Sequence, residues 1–95
     1  TDQIRRSARS IGAQIAEAWA KRRYEKHFVS KLTDADGEQM ETQHWLDESL
    51  QCGYLSAEKC SQLTAELESI GRMLNQMMLR SDSFCQEDPR MIREE

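Results

Sequence analysis

Apolar residues recur at alternating steps of three and four along most of the first eighty positions, and that rhythm constrains the fold more than any other feature. The purest example is Cys60, Leu63, Leu67, Ile70, Leu74 and Met77, a strict three-four repeat. Seven residues per two turns places such a set on one stripe of an α-helix. A second stripe reads Tyr24, Phe28, Leu32, Ala35, Gln39, Thr42, Leu46 and Leu50, widened by Val29, Met40 and Trp45. A third reads Ile4, Ala8, Ile11, Ile15 and Ala18/Trp19. One Pro and four Gly leave these stretches almost uninterrupted, so the chain is predicted to be all-α.

The boundaries differ in clarity. Thr1 or Asp2 is placed to cap the first helix, which runs to about Lys21. Its small residues Ala8, Gly12, Ala13 and Ala16 would let a neighbouring helix approach closely. Gly12 costs about 1 kcal/mol against Ala inside a helix, which close packing would offset. No Gly, Pro or Ser marks a turn at Lys21-Arg22-Arg23, yet two helices are expected there, because one rod of roughly fifty residues is improbable. The second helix, Arg23 to Cys52, would span roughly 40 Å. Its centre, Thr33 to Glu38, reads as a straight helix with a polar side rather than a loosened turn. Gly53 supplies the left-handed residue that ends many helices. Ser56 caps the third helix, with Glu58 favouring the positive end of the dipole. The short link Gly53-Tyr54-Leu55 makes the second and third helices antiparallel neighbours. Residues 1–80 therefore form the helical domain. Residues 81–95, polar and carrying Pro89, read as a tail.

At 95 residues, with 32% charged and 38% hydrophobic, the chain has much surface for its core, and oligomerisation is a natural way to cover it. No apolar run approaches the ~18–20 residues needed to cross a bilayer, and no signal-peptide pattern opens the chain. Three cysteines, Cys52, Cys60 and Cys85, are an odd number without metal-ligand spacing, which suits reduced thiols in the cytoplasm. Net charge is -4 and unevenly spread. Residues 1–31 hold eight Lys/Arg against three acids, and residues 32–95 hold five against fourteen. Such polarity serves head-to-tail self-association or a basic ligand-facing surface.

The basic set is Arg5, Arg6, Arg9, Lys21, Arg22, Arg23 and Lys26. Phosphate contact wants several cations along one surface, because released counterions supply the affinity. The competing reading, a solvated face or arginines paired with a neighbouring subunit's acids, is preferred for an acidic chain. Glu41 and His44 have the Glu-x-x-His spacing of di-iron bundles, but those need two such motifs and further Glu ligands. Only Glu17 on the first helix is a candidate addition, so a carboxylate-histidine metal bundle is the weakest reading. His27 lies near Tyr24 and Lys26 with no Ser or Cys prepared as a nucleophile. With no phosphate-binding Gly loop either, the chain reads as a non-enzyme without metal or cofactor. Trp19, Tyr24, Phe28, Trp45 and Tyr54 are expected in the core or a subunit interface, and Met73, Met77 and Met78 as adaptable packing.

The run Gln3-Ile4-Arg5-Arg6-Ser7-Ala8, continuing Ser10-Ile11-Gly12-Ala13-Gln14-Ile15-Ala16-Glu17-Ala18, resembles the signature of the bacterial 23S rRNA intervening-sequence proteins. Their pattern is roughly Gln-Ile-Arg-Arg-Ala-Ala-x-Ser-Ile-Pro-Ala-Asn-Ile-Ala-Glu-Gly. Phe28-Val29-Ser30-Lys31-Leu32, Glu41-Thr42-Gln43 and Gly53-Tyr54-Leu55 also fall where that family has similar residues. Gly12, Gln14 and Ala18 depart from the family's Pro, Asn and Gly, so the approach to the second helix is open to change. The likeness covers about Thr1 to Met78. It implies an antiparallel up-down four-helix bundle, of which this chain shows three helices and a tail, with a first helix expected before Thr1. It also implies a homopentameric ring. The similar accessory variability determinant proteins of diversity-generating retroelements bind nucleic acid and a reverse transcriptase through a basic surface. The expected partners are therefore the chain itself and RNA, DNA or a nucleic-acid-handling protein, with no membrane. Glu17 is expected to be a structural polar residue pairing with Arg5, Arg6 or a neighbour's basic end.

Overall fold

Three runs of helix-forming residues, broken at 21–24 and 52–56, fold as α1 (Asp2–Ala20), α2 (Glu25–Gln51) and α3 (Ala57–Leu79), and one short turn, α4 (Ser81–Phe84), follows. The structure, a computed structural model, describes residues 2–85, apart from the side chain of Asp2. Thr1 and residues 86–95 of the expected tail lie outside the described residues. Among the described residues there is no strand, and the fold is all-α.

The break between α1 and α2 is closed by its own backbone. Lys21 N–H donates to Glu17 O at 3.0 Å, and Tyr24 N–H donates to Lys21 O at 2.9 Å. Tyr24 is extended (φ -118°, ψ 98°), so α2 begins at Glu25, slightly later than its apolar pattern suggested. Helix α2 then runs unbroken through Thr33–Glu38. Its end follows the expected chemistry: Gly53 takes φ 79°, and Tyr54 N–H reaches back to Ser49 O at 2.9 Å. Ser56 Oγ accepts from Lys59 N–H at 3.1 Å and caps α3.

Helix α2 is the shared wall of the bundle. The hydroxyls of Ser7 and Thr42 meet at 2.8 Å, and Lys31 Nζ lies 3.0 Å from Glu17 Oε2, which sets α1 antiparallel to α2. Cys60 Sγ near Leu46 O and Thr33 near Met78 Sδ set α3 antiparallel to α2 in turn. Helices in direct contact pack 8–10 Å apart, which brings some Cα pairs well inside that distance. No Cα of α1 comes within 8 Å of α3, so the two flank α2 without packing closely on each other.

The core forms two clusters along α2. Phe28, Leu32, Ala35, Ala18 and Leu74 make one; Ile11, Leu46, Cys60 and Leu67 make the other. Gln39 and Thr42 are buried on the same stripe. Several expected core positions are displaced, Tyr24 at 39% and Trp19 at 49% exposed among them. Met40 is 58% exposed, and on α1 the buried residue is Ser7 while Ala8 faces solvent. Residues 81–85, expected in the tail, also belong to the folded part. Ser81 is buried and donates to Glu25, and Phe84 stacks on Phe28 with ring centroids 6.0 Å apart.

Candidate assembly and polyanion-binding surfaces

Helix α1 buries Ser7, Ile11 and Ala18, which fixes the direction of every other side chain at 100° per residue. Arg5 and Arg9, one turn apart, point to the opposite side, and Arg6 flanks them; all three are exposed. Among the described residues no carboxylate lies within 4.0 Å of any of them. Lys21, Arg22, Arg23 and Lys26 gather around the turn at the other end of α1, about 20 Å away. The seven cations are thus two groups rather than one patch. Arg22 is also engaged: its guanidinium sits 4.3 Å from the Trp19 ring centroid and donates to Trp19 O at 3.1 Å. Arg23 lies over the Tyr24 ring at 5.7 Å.

Glu17 forms an ion pair within its own chain. Its partner is Lys31 of α2, not Arg5 or Arg6, which stand three turns or more away on α1. The pair is largely solvated, so its contribution is of the order of 0–1 kcal/mol. Glu41 and His44 are both exposed, and the His44 ring packs edge-on to Trp45 at 4.9 Å. Among the described residues no group of three or more His, Cys, Asp or Glu could hold a metal ion. His27 packs against Tyr24 at 5.6 Å.

Among the described residues the small residues of α1 face solvent. Ala8, Gly12, Ala13 and Ala16 are exposed, and a Cβ placed on Gly12 would touch nothing within 4 Å. The close approach occurs instead at Gly71 of α3. A Cβ there would lie 2.9 Å from Gln39 Nε2, which donates to Asp36 at 3.0 Å. Gln43 in turn donates to Gln39 Oε1 at 2.7 Å, giving a polar ladder on α2 against α3. Gly71 had a sequence signal, since it falls between Leu67 and Leu74 on the buried side of the best repeat.

Where α1 and α3 stay apart, apolar surface remains on both. Ile4 and Ile15 on one side and Leu63, Ile70 and Met77 on the other pack on the core yet are only half-buried. Exposed Met73 and Trp19 add to this apolar surface. At the end near Gly53, a crevice of about 190 Å³ is lined by Gln3, Trp45, Glu48, Ser49, Cys52 and Tyr54. Among the described residues Trp45 Nε1, buried there, has no hydrogen-bond partner, and Tyr54 is 77% exposed. Of the five aromatics expected in a core or interface, only Phe28 is fully enclosed.

The three cysteines are free: Cys52 exposed, Cys60 buried, Cys85 between. Burial against the core, with Glu25 nearby, raises the Cys85 thiol above its ordinary pKa. Among the described residues no helix is long and apolar enough to cross a membrane. The family description "23S rRNA-intervening sequence protein" matches residues 1–76. Comparison with curated proteins and with solved structures finds no significant match.

Proposed function

This chain belongs to the 23S rRNA-intervening sequence protein family, and from that premise we propose that it works by assembling and binding, without catalysis of its own. In this reading a further helix occupies the seam between α1 and α3 and completes an up-down four-helix bundle. Copies then close into a homopentameric ring that presents a repeated surface to a partner in the cytoplasm. The observation that supports it is the seam itself, with Ile4, Ile15, Leu63, Ile70 and Met77 half-buried on two helices that bring no Cα pair within 8 Å. Leaving apolar surface wet on both walls is unfavourable at about 25 cal/mol per Å², so covering it drives association. Light scattering tests the proposal: a mass of about five protomers supports a closed ring, and a monomer at every concentration contradicts it.

A second reading, direct RNA or DNA binding, is favoured by one observation: Arg5, Arg6 and Arg9 are exposed with no carboxylate within 4.0 Å among the described residues. Lys21, Arg22, Arg23 and Lys26 would contribute from the other end of α1, where repetition around a ring adds weak contacts together. Replacing Arg5, Arg9 and Arg22 with Ala should weaken binding and reduce its salt slope by about 0.9 for each phosphate no longer neutralised. Unchanged affinity and slope would sink this reading.

A further inference from the structure

Two exposed helix faces carry opposite charges that neither helix balances within itself. On α1, Arg5 and Arg9 lie opposite buried Ser7, Ile11 and Ala18. The residues one turn to either side of Arg9 are Arg5, Arg6, Gly12 and Ala13, with no carboxylate among them. On α2, Asp34, Glu41 and Glu48 recur every seven residues on the exposed side. One turn to either side of Glu41 and Glu48 stand Gly37, Glu38, His44, Trp45, Gln51 and Cys52, with no Lys or Arg. Lys31, three residues before Asp34, is bonded to Glu17. Among the described residues none of these arginines and acids lies within 4.0 Å of an opposite charge.

This is an unfavourable arrangement for a solitary chain. A solvated helix gains from opposite charges at i,i+4 and loses from like ones, and both Arg5/Arg9 and Asp34/Glu38 are like pairs at that spacing. Helix α3 shows the ordinary pattern, with Glu68 four residues before Arg72. Shape agrees with charge. Beyond Arg9 the same face of α1 continues as Gly12, Ala13, Ala16 and Ala20, all exposed, with open space above Gly12. Small residues allow a second helix to lie close, and this strip is about 22 Å long from Arg5 to Ala20. The acidic row from Asp34 to Glu48 spans about 21 Å.

We infer that these faces are the two sides of one heterologous contact between copies of this chain. The basic, small-residue face of α1 in one protomer receives the acidic face of α2 in the next. Each added copy leaves one face of each kind free, so the contact propagates until rotation closes it. The inference rests on the self-assembly proposed above and assigns the surface through which it happens.

Charge exchange tests the assignment. Three variants are compared with the unmodified protein by light scattering across concentration at low salt: Arg5→Glu with Arg9→Glu, Glu41→Arg with Glu48→Arg, and all four changes in one chain. Circular dichroism checks that each remains helical. Each one-sided reversal should weaken assembly about tenfold or more, because like charges then face each other. The four-fold variant should regain the unmodified protein's mass. One-sided variants that assemble normally overturn the inference, as does a four-fold variant that stays dissociated. So does an Arg5→Glu/Arg9→Glu protein that loses only binding to a single-stranded RNA probe. An unmodified protein that is monomeric throughout overturns the assembly reading as well, which separates the two failures.

Discussion

At the end of the bundle where α1 turns into α2, Phe28 and Leu32 have no exposed surface, and Phe84 of α4 stacks over Phe28 while meeting Trp19 edge-on at 6.4 Å. At the other end Leu67 keeps 8% exposure, and Ile4, Leu50, Leu55 and Leu63 around it are half-buried. Both ends follow the same three-four apolar repeat. They differ in whether an element of the chain lies across the repeat, although half-buried Ile15, Ile70 and Met77 flank the first end as well. One turn of helix after Arg80 closes the first end, and among the described residues nothing equivalent closes the second. Periodicity thus selects the face a helix turns inward, while coverage decides how dry that face becomes.

Leucine truncation breaks this comparison most directly, because the chemistry is identical at both ends. Leu32→Ala should cost about 4 kcal/mol and Leu67→Ala about 2 kcal/mol, within the usual range for buried leucines. Urea denaturation at a concentration too low for assembly reads both. Equal losses would erase the distinction between a closed and an open end.

Phe84→Ala removes the cover and leaves the wall behind it. About 2–3 kcal/mol should be lost, and Trp19 fluorescence should shift to the red as its edge contact disappears. A variant with the original stability and emission would mean that α4 covers nothing that matters.

Gly71 sharpens the comparison at the α2–α3 contact. Alanine gains about 1 kcal/mol over glycine in a helix, but its methyl would press on Gln39 Nε2, and such overpacking costs about 1–3 kcal/mol. Gly71→Ala should therefore destabilise by about 1 kcal/mol. In a Gln39→Ala background the same change should stabilise by about 1 kcal/mol, since nothing then opposes the helix propensity. A double-mutant cycle measured by thermal melting checks the reversal of sign.

The smallest effect is in pH. The Cys85 thiol has its pKa raised in the folded chain by burial, with Glu25 adding to the effect. The folded state then holds the thiol proton more tightly than the unfolded one. Its contribution is complete below the ordinary thiol value and declines as pH rises above it. Cys85→Ser should flatten this alkaline decline in stability. In the native protein, exposed Cys52 should react with a thiol reagent before Cys85, and buried Cys60 last.

Much of this was visible in the residues. The α2 stripe was legible even at Gln39 and Thr42, because position on the face, not polarity alone, decides burial. On α1 the apolar pattern points one residue away from the buried position. Alanine at 8 and serine at 7 are similar in size, and Ser7 is tolerated inside because its hydroxyl bonds to Gln3 O at 3.1 Å and meets Thr42. The cover at the closed end was not legible. Phe84 is one aromatic in a polar stretch, and its role depends on a break in the helix at Arg80 that no glycine announces. Of the basic set, the split into two groups follows from helix rise alone. The capture of Arg22 by Trp19 needs the actual turn. Glu17 found Lys31 because α1 and α2 are antiparallel in a register that local spacing does not define.

The central claim is that the outer face of α1 and the acidic face of α2 are what assembly between copies covers. Hydrogen–deuterium exchange above and below the assembly concentration tests it most directly. Protection should rise in α1 around Arg5–Ala20 and in α2 around Asp34–Glu48, while the region around Phe28, Leu32 and Phe84 stays unchanged. Protection gained at the closed end instead, or nowhere as the mass increases, would contradict the account.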